Sequence, residues 1–208
     1  MTEPTLITND DVLTIDTSPT NVSDAEIKTP EHLANQILPV FSDAHPLLHM
    51  KLPEYTEPLP NREMTILSKR LLLTMKTYKG IGLSANQCGI DKRVFVIGHE
   101  DFSFTCINPK ILDASPNFNR SNEGCLSFPG LFLKVERPEW VLVEFTDELG
   151  QKQNLKLDGI TARCFAHELD HMNGLVYTRY VKPLALKMAI QKKDKLIKKV
   201  SRLAKKDR

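Results

Sequence analysis

Two histidines and two carboxylates lie within the five residues 167–171, which read HELDH. Side chains four positions apart share one face of a helix at a Cβ separation of about 6 Å, so one metal ion can bind both imidazoles. Glu168 lies beside that face, where its carboxylate can accept a proton from metal-bound water without binding the metal. The spacing therefore predicts a hydrolytic metal site, against the alternative of two unrelated surface histidines.

A metal site of this kind needs a third protein ligand and one position left open for water. Thiols and carboxylates elsewhere in the chain are the candidates. Cys125 lies in residues 123–127 (EGCLS), between predicted strands, where Gly124 permits close approach of another element. A small buried apolar side chain is the alternative role for Cys125, and it is the role that we expect for Cys88, Cys106 and Cys164.

Residues 80–87 (GIGLSANQ) form a third segment whose residues could contact a ligand. Its two glycines allow backbone conformations that bring an edge of the chain against a ligand, and Gln87 can then donate its side-chain amide. An ordinary glycine-containing helix stop and turn is the alternative interpretation.

The elements that must position these residues follow from the hydrophobic periodicity. Apolar stripes and capping residues predict helices at 30–38, 62–78, 160–172 and 183–205. Runs of β-branched and aromatic residues predict strands at 93–97, 104–107, 110–113, 131–135, 140–146 and 153–157. Because strands and helices do not alternate, the predicted class is α+β, with mostly antiparallel strands packed around the HELDH helix and a further basic helix at the C-terminus.

Composition limits the class of protein. The 208 residues are 41% hydrophobic and 26% charged, and no apolar run approaches the length of a membrane span. We expect one globular domain, alone or with a tail, and no membrane insertion. Four cysteines in a chain of this size do not indicate a disulfide scaffold, so we expect reduced thiols and a cytoplasmic protein.

Charge is distributed unevenly along the chain. From residue 179 to the end there are 12 Lys or Arg and 2 Asp or Glu, whereas the first 34 residues hold seven Asp or Glu and one Lys. We therefore expect an acidic, loosely ordered arm at 1–29, a domain with the metal site at 30–181, and a basic amphipathic helix at 182–208. The basic segment indicates either a polyanionic partner or a solvated helix face.

The segments GIGLSANQ, EGCLS and HELDH, in this order and at this spacing, resemble the three motifs of peptide deformylases. These enzymes remove the N-formyl group from newly made polypeptides. The resemblance spans roughly residues 37–180, and it implies that residues 30–181 form a deformylase-like catalytic domain. It further implies a metal ion held by Cys125, His167 and His171.

The resemblance also implies roles for three residues beside the metal. Glu168 is expected to act as general base and later as proton donor to the departing amine. The Gln87 amide and the backbone N–H of Leu126 are expected to stabilise negative charge on the formyl oxygen. One divalent metal ion is expected, iron(II) natively, although the same ligands suit zinc, nickel and cobalt, which purified protein can carry instead.

The implied substrate is the N-formyl-methionine of new polypeptides, whose unbranched side chain enters an apolar pocket. Candidate wall residues, each of which is plain core under the alternative interpretation, are Ile81, Phe128, Leu131, Phe132, Cys164 and Phe165. Backbone groups near Ile81 and Gly82, and from Phe128 to Gly130, are expected to pair with the extended peptide as an added strand. Some members of the family dock to ribosomes through a basic C-terminal helix, so ribosomal RNA is a further expected partner. We expect a monomer.

Charged residues near the three motifs are expected to support the metal site, and one residue departs from the family pattern. Glu123 and Arg137 are predicted to pair and steady the cysteine loop, and Asp170 or Arg163 to orient the ligands. Ala166 stands where the family usually has glutamine, which removes a polar partner near the metal.

Two alternative functions remain open at this point. One is an HExxH endopeptidase that cuts internal peptide bonds, although no third His or Glu ligand follows at a familiar spacing. The other is a catalytically inactive deformylase-like module that binds ribosomes.

Overall fold

The computed structural model describes residues 6–9, 12–15, 30–99 and 102–206. Its helices are α1 (Pro30–Ala34), α2 (Arg62–Thr77), α3 (Gly159–Met172) and α4 (Pro183–Lys206). Its strands are β1 (Leu6–Asn9), β2 (Val12–Ile15), β3 (Val40–Phe41), β4 (Gly82–Ser84), β5 (Val94–His99), β6 (Phe102–Ala114), β7 (Phe118–Glu123), β8 (Leu133–Pro138), β9 (Trp140–Thr146) and β10 (Lys152–Asp158). The α+β class expected from the sequence is confirmed.

The largest sheet of the described residues has five antiparallel strands in the order β10-β9-β6-β5-β4. In β5, Val94 and Val96 pack into the hydrophobic cluster that includes α2, whereas Phe95 and Ile97 pack into the cluster that includes α3. Successive side chains of a strand point to opposite faces of its sheet. At β5 the sheet therefore lies between α2 and α3, and both of its faces are buried there.

Helix α3 is fixed to the sheet by large apolar side chains. Phe165 is fully buried, and its ring meets that of Phe95 edge to face at 5.1 Å between centroids. Met172, the last residue of the helix, is also fully buried. Each such side chain contributes about 1.5–3 kcal/mol by leaving water. The position of the HELDH segment is thus set by the core beneath it.

A smaller antiparallel sheet consists of β7 and β8. In β8 the side chains alternate, since Leu133 and Val135 are buried and Lys134 and Glu136 are exposed. The buried side chains pack against Tyr177 in a separate hydrophobic cluster. Residues 124–132 connect β7 to β8, so this sheet determines where the cysteine of the EGCLS segment lies.

Helix α4 packs against the rest of the protein through its first half. Leu186 and Ala189 lie against the cluster around Tyr177, whereas Leu196 and Val200 are 60% and 57% exposed. The second half of α4 therefore presents an apolar stripe and many lysines to solvent. None of the helices in the described part of the chain has the length and apolar character needed to cross a membrane.

Several predicted elements have different bounds in the structure. The prediction of two strands at 104–107 and 110–113 is wrong, because both runs belong to one strand, β6, whose pairing with β9 is interrupted by register shifts. The expected helix at 30–38 is wrong beyond Ala34, because the chain leaves the helix there to reach β3 at Val40. Strand β8 begins two residues later than predicted.

Two short strands lie within segment 1–29, for which the sequence predicts an acidic, loosely ordered arm. Strands β1 and β2 pair with each other, and β2 pairs with β3. Both strands are rich in β-branched residues such as Ile7, Val12 and Ile15, which favour extended backbone. Residues 1–5, 10–11 and 16–29 of the arm lie outside the described residues.

Gly174 provides a test of how the chain leaves α3. Its φ is +70°, and a Cβ placed there would lie 2.7 Å from the backbone carbon of Met50. Gly174→Ala is expected to lower the free energy of unfolding by about 2–4 kcal/mol, through left-handed strain and overlap with that backbone. Chemical denaturation measures the loss.

Gly159→Ala is the matched control, because Gly159 also has positive φ, +52°, but has no atom within 4 Å of the point that a Cβ would occupy. It should cost about 1–2 kcal/mol, the strain alone. Equal losses in the two variants would contradict a role for the close approach between Gly174 and the segment around Met50.

Candidate active site

Cys125, His167 and His171 lie close together in the structure. One nitrogen or sulfur atom from each lies within 4.8 Å of the others. Cys125 Sγ is 3.3 Å from His171 Nε2, and the two imidazole rings lie 5.0 Å apart between centroids. Both histidines are buried and Cys125 is half-buried. The α3 segment and the β7–β8 connection, far apart in sequence, therefore meet at one point.

The other nitrogen of His167 is held by a carboxylate. Nδ1 of His167 lies 3.1 Å from Glu123 Oε2, which leaves Nε2 for a ligand. Burial acts to raise the pKa of Glu123, but hydrogen bonds from His167 and Arg137 lower it to about 2. The carboxylate is therefore ionised, and it fixes both the tautomer and the orientation of the imidazole.

Two arginines complete the surroundings of Glu123. Arg137 donates to both carboxylate oxygens, at 2.9 and 3.0 Å, and Arg163 donates to Oε1 at 2.7 Å. Arg137 also donates to Asp170 at 2.6 Å and stacks on the ring of Tyr180. The structure thus places Glu123 and Arg137 in the predicted pair, and Asp170 and Arg163 form hydrogen bonds to this pair.

The side chain of Gln87 is directed at the same point by its hydrogen bonds to Ser84. Its Oε1 accepts hydrogen bonds from the N–H and hydroxyl of Ser84, at 3.0 and 2.9 Å. Its Nε2 is consequently directed at Cys125 Sγ, 3.3 Å away, and at Ser127 Oγ, 3.2 Å away. The 3-10 turn Ala85–Cys88 and its capping box therefore hold an amide donor beside the cluster.

Glu168 lies next to the cluster without joining it. Burial raises the pKa of its carboxyl to about 7, and its Oε2 has no hydrogen-bond partner among the described residues. Its Oε1 faces Gly82 of β4, where a Cβ would lie only 2.5 Å away. A buried carboxyl of this kind, with an oxygen free, suits proton transfer.

The C-terminal end of α3 is held by two residues whose role was not predicted from the sequence. Asn86 donates to the carbonyl of His171 at 2.7 Å, and Arg93 donates to the carbonyl of Met172 at 2.9 Å. These carbonyls have no partner inside the helix. Asn86 belongs to the GIGLSANQ segment, so its capping role had a signal in the sequence, whereas Arg93 had none.

A cavity of about 510 Å³ opens beside the cluster. Gln87, Leu126 and Glu168 line this cavity. All but one of the residues predicted for the pocket and peptide contacts line it too: Ile81, Gly82, Phe128, Gly130, Leu131, Phe132 and Cys164. Phe165 does not line the cavity, and its expected role as a wall is wrong because its ring faces the sheet core. Ile160, Tyr78 and Lys79 line it without having been predicted.

The donor set fits a divalent transition metal. A thiolate with two imidazoles suits zinc or iron(II), and three protein ligands leave a coordination position open. Among the described residues, this group alone brings three candidate ligand side chains together. The contact between His167 and Glu123 matches the outer-shell support that metal-binding histidines usually have.

A sequence model for the family described as polypeptide deformylase matches residues 37–187, most of the chain. The chain belongs to the polypeptide deformylase family. The resemblance of its three motifs is thereby confirmed. Deformylases of this family are metal-dependent. Among the described residues, Cys125, His167 and His171 are the side chains that could together hold a metal ion.

Curated proteins similar to this chain are named peptide deformylase. A peptide deformylase of Prochlorococcus marinus (strain AS9601) is 43% identical over 116 residues, which are 53% of this chain and 58% of that protein. The chain thus spans little more than half the length of this curated relative.

Solved deformylase structures share the fold. A Synechococcus elongatus peptide deformylase in complex with actinonin is 37% identical, with a TM-score of 0.72 over 76% of this chain and 88% of that one. A class I type b peptide deformylase from Acinetobacter baumannii with Met-Ala-Ser bound is 28% identical, with a TM-score of 0.68 over 71% and 99% of the two chains.

Glu123→Gln tests the buried ionic group around Glu123. Two buried arginines would lose their shared counter-charge, so the free energy of unfolding should fall by about 3–5 kcal/mol. The imidazole of His167 would lose its orienting carboxylate, so metal affinity should fall about 10–100-fold. Denaturant unfolding and competition with a chelator measure the two effects.

Glu54→Gln is the matched control, because Glu54 pairs with Lys110 at 3.6 Å on the surface, where both side chains are more than half exposed. That variant should change stability by no more than about 1 kcal/mol and leave metal affinity unaltered. A Glu123→Gln protein as stable as this control would show that the buried carboxylate is dispensable.

Proposed function

We propose that this protein removes the N-formyl group from the formyl-methionine of newly made polypeptides. The observation that carries the proposal is the convergence of a Cys125-His167-His171 cluster, the Gln87 amide and the buried Glu168 carboxyl on one cavity. Each component of an amide hydrolase is thus present within one site: a metal position, a proton carrier and a donor for developing charge.

We assign the roles as follows. Cys125, His167 and His171 hold a divalent metal, which when bound acidifies a coordinated water and polarises the formyl oxygen. Glu168 accepts a proton as water attacks the formyl carbon, and it passes a proton to the departing amine as the C–N bond breaks. The products are formate and a peptide with a free amino terminus.

Negative charge grows on the formyl oxygen during the attack. Nε2 of Gln87 is held in place by the two hydrogen bonds that its Oε1 accepts from Ser84, so it is already oriented toward that charge. Leu126 follows Cys125 directly and lines the cavity, which supports its backbone N–H as a second donor. Preorganised donors of this kind each contribute about 10²–10³-fold to the rate.

We assign the methionine side chain to the cavity. Its apolar lining includes Ile81, Phe128 and Leu131. The thiol of Cys164 donates a hydrogen bond to the Ile81 carbonyl at 3.3 Å. Strand β4 ends the five-stranded sheet, so its backbone can pair with an extended peptide. The tripeptide Met-Ala-Ser bound to the Acinetobacter baumannii relative supports a short peptide beginning with methionine as ligand.

We propose iron(II) as the native metal, on the resemblance to the family. The thiolate and imidazole ligands equally suit zinc, nickel and cobalt, which purified protein can carry. Because ferrous iron beside a thiolate is sensitive to oxidation, protein prepared in air is expected to contain one of the other metals.

We further propose that α4 binds ribosomal RNA. Lys195, Lys198, Lys199 and Arg202 follow one another at helical spacing and form a single basic face. Their positions on an exposed helix beyond the catalytic domain favour contact with a polyanion over a purely solvating role. A cytoplasmic location and a monomeric state stay predictions.

Glu168→Ala tests the chemistry. With metal content assayed on the same sample, the variant should retain about one equivalent of metal, while formate release from formyl-Met-Ala-Ser falls by about 10²–10⁴-fold. Glu57→Ala changes an exposed carboxylate that does not line the cavity, and it should leave the rate unaltered.

The choice of peptides separates the alternative functions. Acetyl-Met-Ala-Ser and free Met-Ala-Ser should not be cleaved, whereas an endopeptidase would cut longer peptides whatever their amino terminus. If metal-loaded wild-type protein released no formate under anaerobic conditions, the inactive ribosome-binding module would become the better explanation.

Replacing Lys195, Lys198, Lys199 and Arg202 together by Ser tests RNA binding. The slope of log affinity against log salt should become shallower by about 0.7–0.9 for each phosphate that the variant no longer neutralises. The control replaces four other exposed lysines in the described residues, Lys76, Lys110, Lys134 and Lys152. An identical slope for the two variants would reject α4 as the RNA-binding surface.

A further inference from the structure

One buried hydroxyl lies between two groups of the proposed reaction. Ser84 is fully buried, and its Oγ is 2.9 Å from Oε1 of Gln87. Burial raises the pKa of the Glu168 carboxyl to about 7, and a hydrogen bond with the same Ser84 hydroxyl is among the contacts that act against this shift. The amide that faces the developing charge and the carboxyl that carries the proton therefore share one neighbour.

Strand β4 places Ser84 between these two groups. Side chains two positions apart on a strand point to the same face, so Ser84 faces the same way as Gly82, which lies against Oε1 of Glu168. Leu83, between them, packs into the hydrophobic cluster that includes α2. Oε2 of Glu168 has no hydrogen-bond partner among the described residues, so the contact with Ser84 is made through Oε1, and Oε2 stays free for the incoming proton.

The hydroxyl of Ser84 has a single proton, so it donates to one of the two side chains at a time. An ionised carboxylate is the stronger acceptor, because charge-assisted hydrogen bonds are about twice as strong as neutral ones. Once the carboxyl of Glu168 is neutral, this advantage is lost, and the amide oxygen of Gln87 becomes the preferred acceptor. The backbone N–H of Ser84, at 3.0 Å, donates to that amide oxygen throughout.

We infer that Ser84 is a positioning residue that couples Gln87 to Glu168 during the reaction. This inference rests on the proposed deformylase function. The Ser84 hydroxyl donates to Glu168 before the proton transfer and to Gln87 after it, so the amide is held most firmly when negative charge is present on the formyl oxygen. Ser84 neither gains nor loses a proton, and only the direction of its O–H bond changes.

Ser84→Ala removes the hydroxyl and keeps the backbone N–H that holds Gln87. In metal-loaded protein, kcat for formyl-Met-Ala-Ser should fall about tenfold, because a less firmly held amide weakens a contact made in the transition state. KM should stay within about twofold of the wild-type value, since Ser84 does not line the cavity that receives the peptide.

Ser68→Ala is the matched control, because Ser68 is a buried serine of α2 whose hydroxyl bonds to that of Thr105, outside the cavity lining. Both variants lose a buried hydrogen bond, and denaturant unfolding measures the loss of stability in each. Ser68→Ala should leave kcat unaltered. An equal fall of kcat in the two variants would overturn the inference and assign the effect to lost stability.

The side-chain amide of Gln87 reports the coupling without turnover. Glu168→Gln places a neutral group where the neutral carboxyl would be, so the Gln87 amide signal, followed by NMR of zinc-loaded protein, should shift relative to wild type. In a Ser84→Ala background, the same change at Glu168 should leave this signal in place. A shift of equal size with and without the hydroxyl, or no shift in either, overturns the inference.

The two measurements separate the inference from the function on which it rests. Formate release with the same kcat in wild type and Ser84→Ala overturns the inference and leaves the proposed function intact. Absence of formate release from metal-loaded wild-type protein overturns the proposed function. The NMR comparison then decides separately whether Ser84 links the two side chains.

Discussion

The carboxylate of Glu123 is the interaction on which the arrangement of the site depends. It is buried between the two-stranded sheet and α3, and it accepts hydrogen bonds from Arg137 and Arg163 while orienting His167. A charge so far from water is tolerated only when it is paired on every side. The strand that ends in Glu123 therefore has one register relative to α3, and the cysteine two residues later is placed by the same constraint.

A second set of contacts holds α3 from its other end. The segment GIGLSANQ supplies Asn86, which caps the carbonyl of His171, and Gln87, whose amide reaches Cys125. One short turn thus orients the Gln87 amide and caps the helix that carries His167 and His171. Since both contacts depend on consecutive residues, displacement of this turn would move the two histidines and the amide together.

The sequence predicted which side chains meet at the site better than it predicted the strands that carry them. HELDH, Cys125 and Gln87 were identifiable because ligand spacing and family motifs are local patterns. The strand β7, with the sequence FNRSNE, was missed because its side chains are mostly exposed and carry no apolar alternation. It is held by pairing with β8 and by the contacts of Glu123, and such partners from distant positions leave no periodic signal.

Strand β6 was detected from the sequence, but its continuity was not. Its two apolar runs were predicted as separate strands, and between them lie Asn108, whose φ is +51°, and Pro109. In the structure, Asn108 exchanges hydrogen bonds with the backbone of Tyr55, and the strand continues through the irregularity. Ile160 and Lys79 were overlooked for a related reason: they border the cavity only because the folded chain brings their elements to its mouth.

The four cysteines differ in their access to solvent. Cys88, Cys106 and Cys164 are buried, and burial raises the pKa of each of these thiols, whereas Cys125 is half-buried at the edge of the cavity. A thiol-specific reagent applied to the native protein would therefore modify Cys125 before the other three cysteines. Under the proposed assignment, a metal held by Cys125 would shield that sulfur, so its reactivity in the purified protein would report metal occupancy without an engineered label.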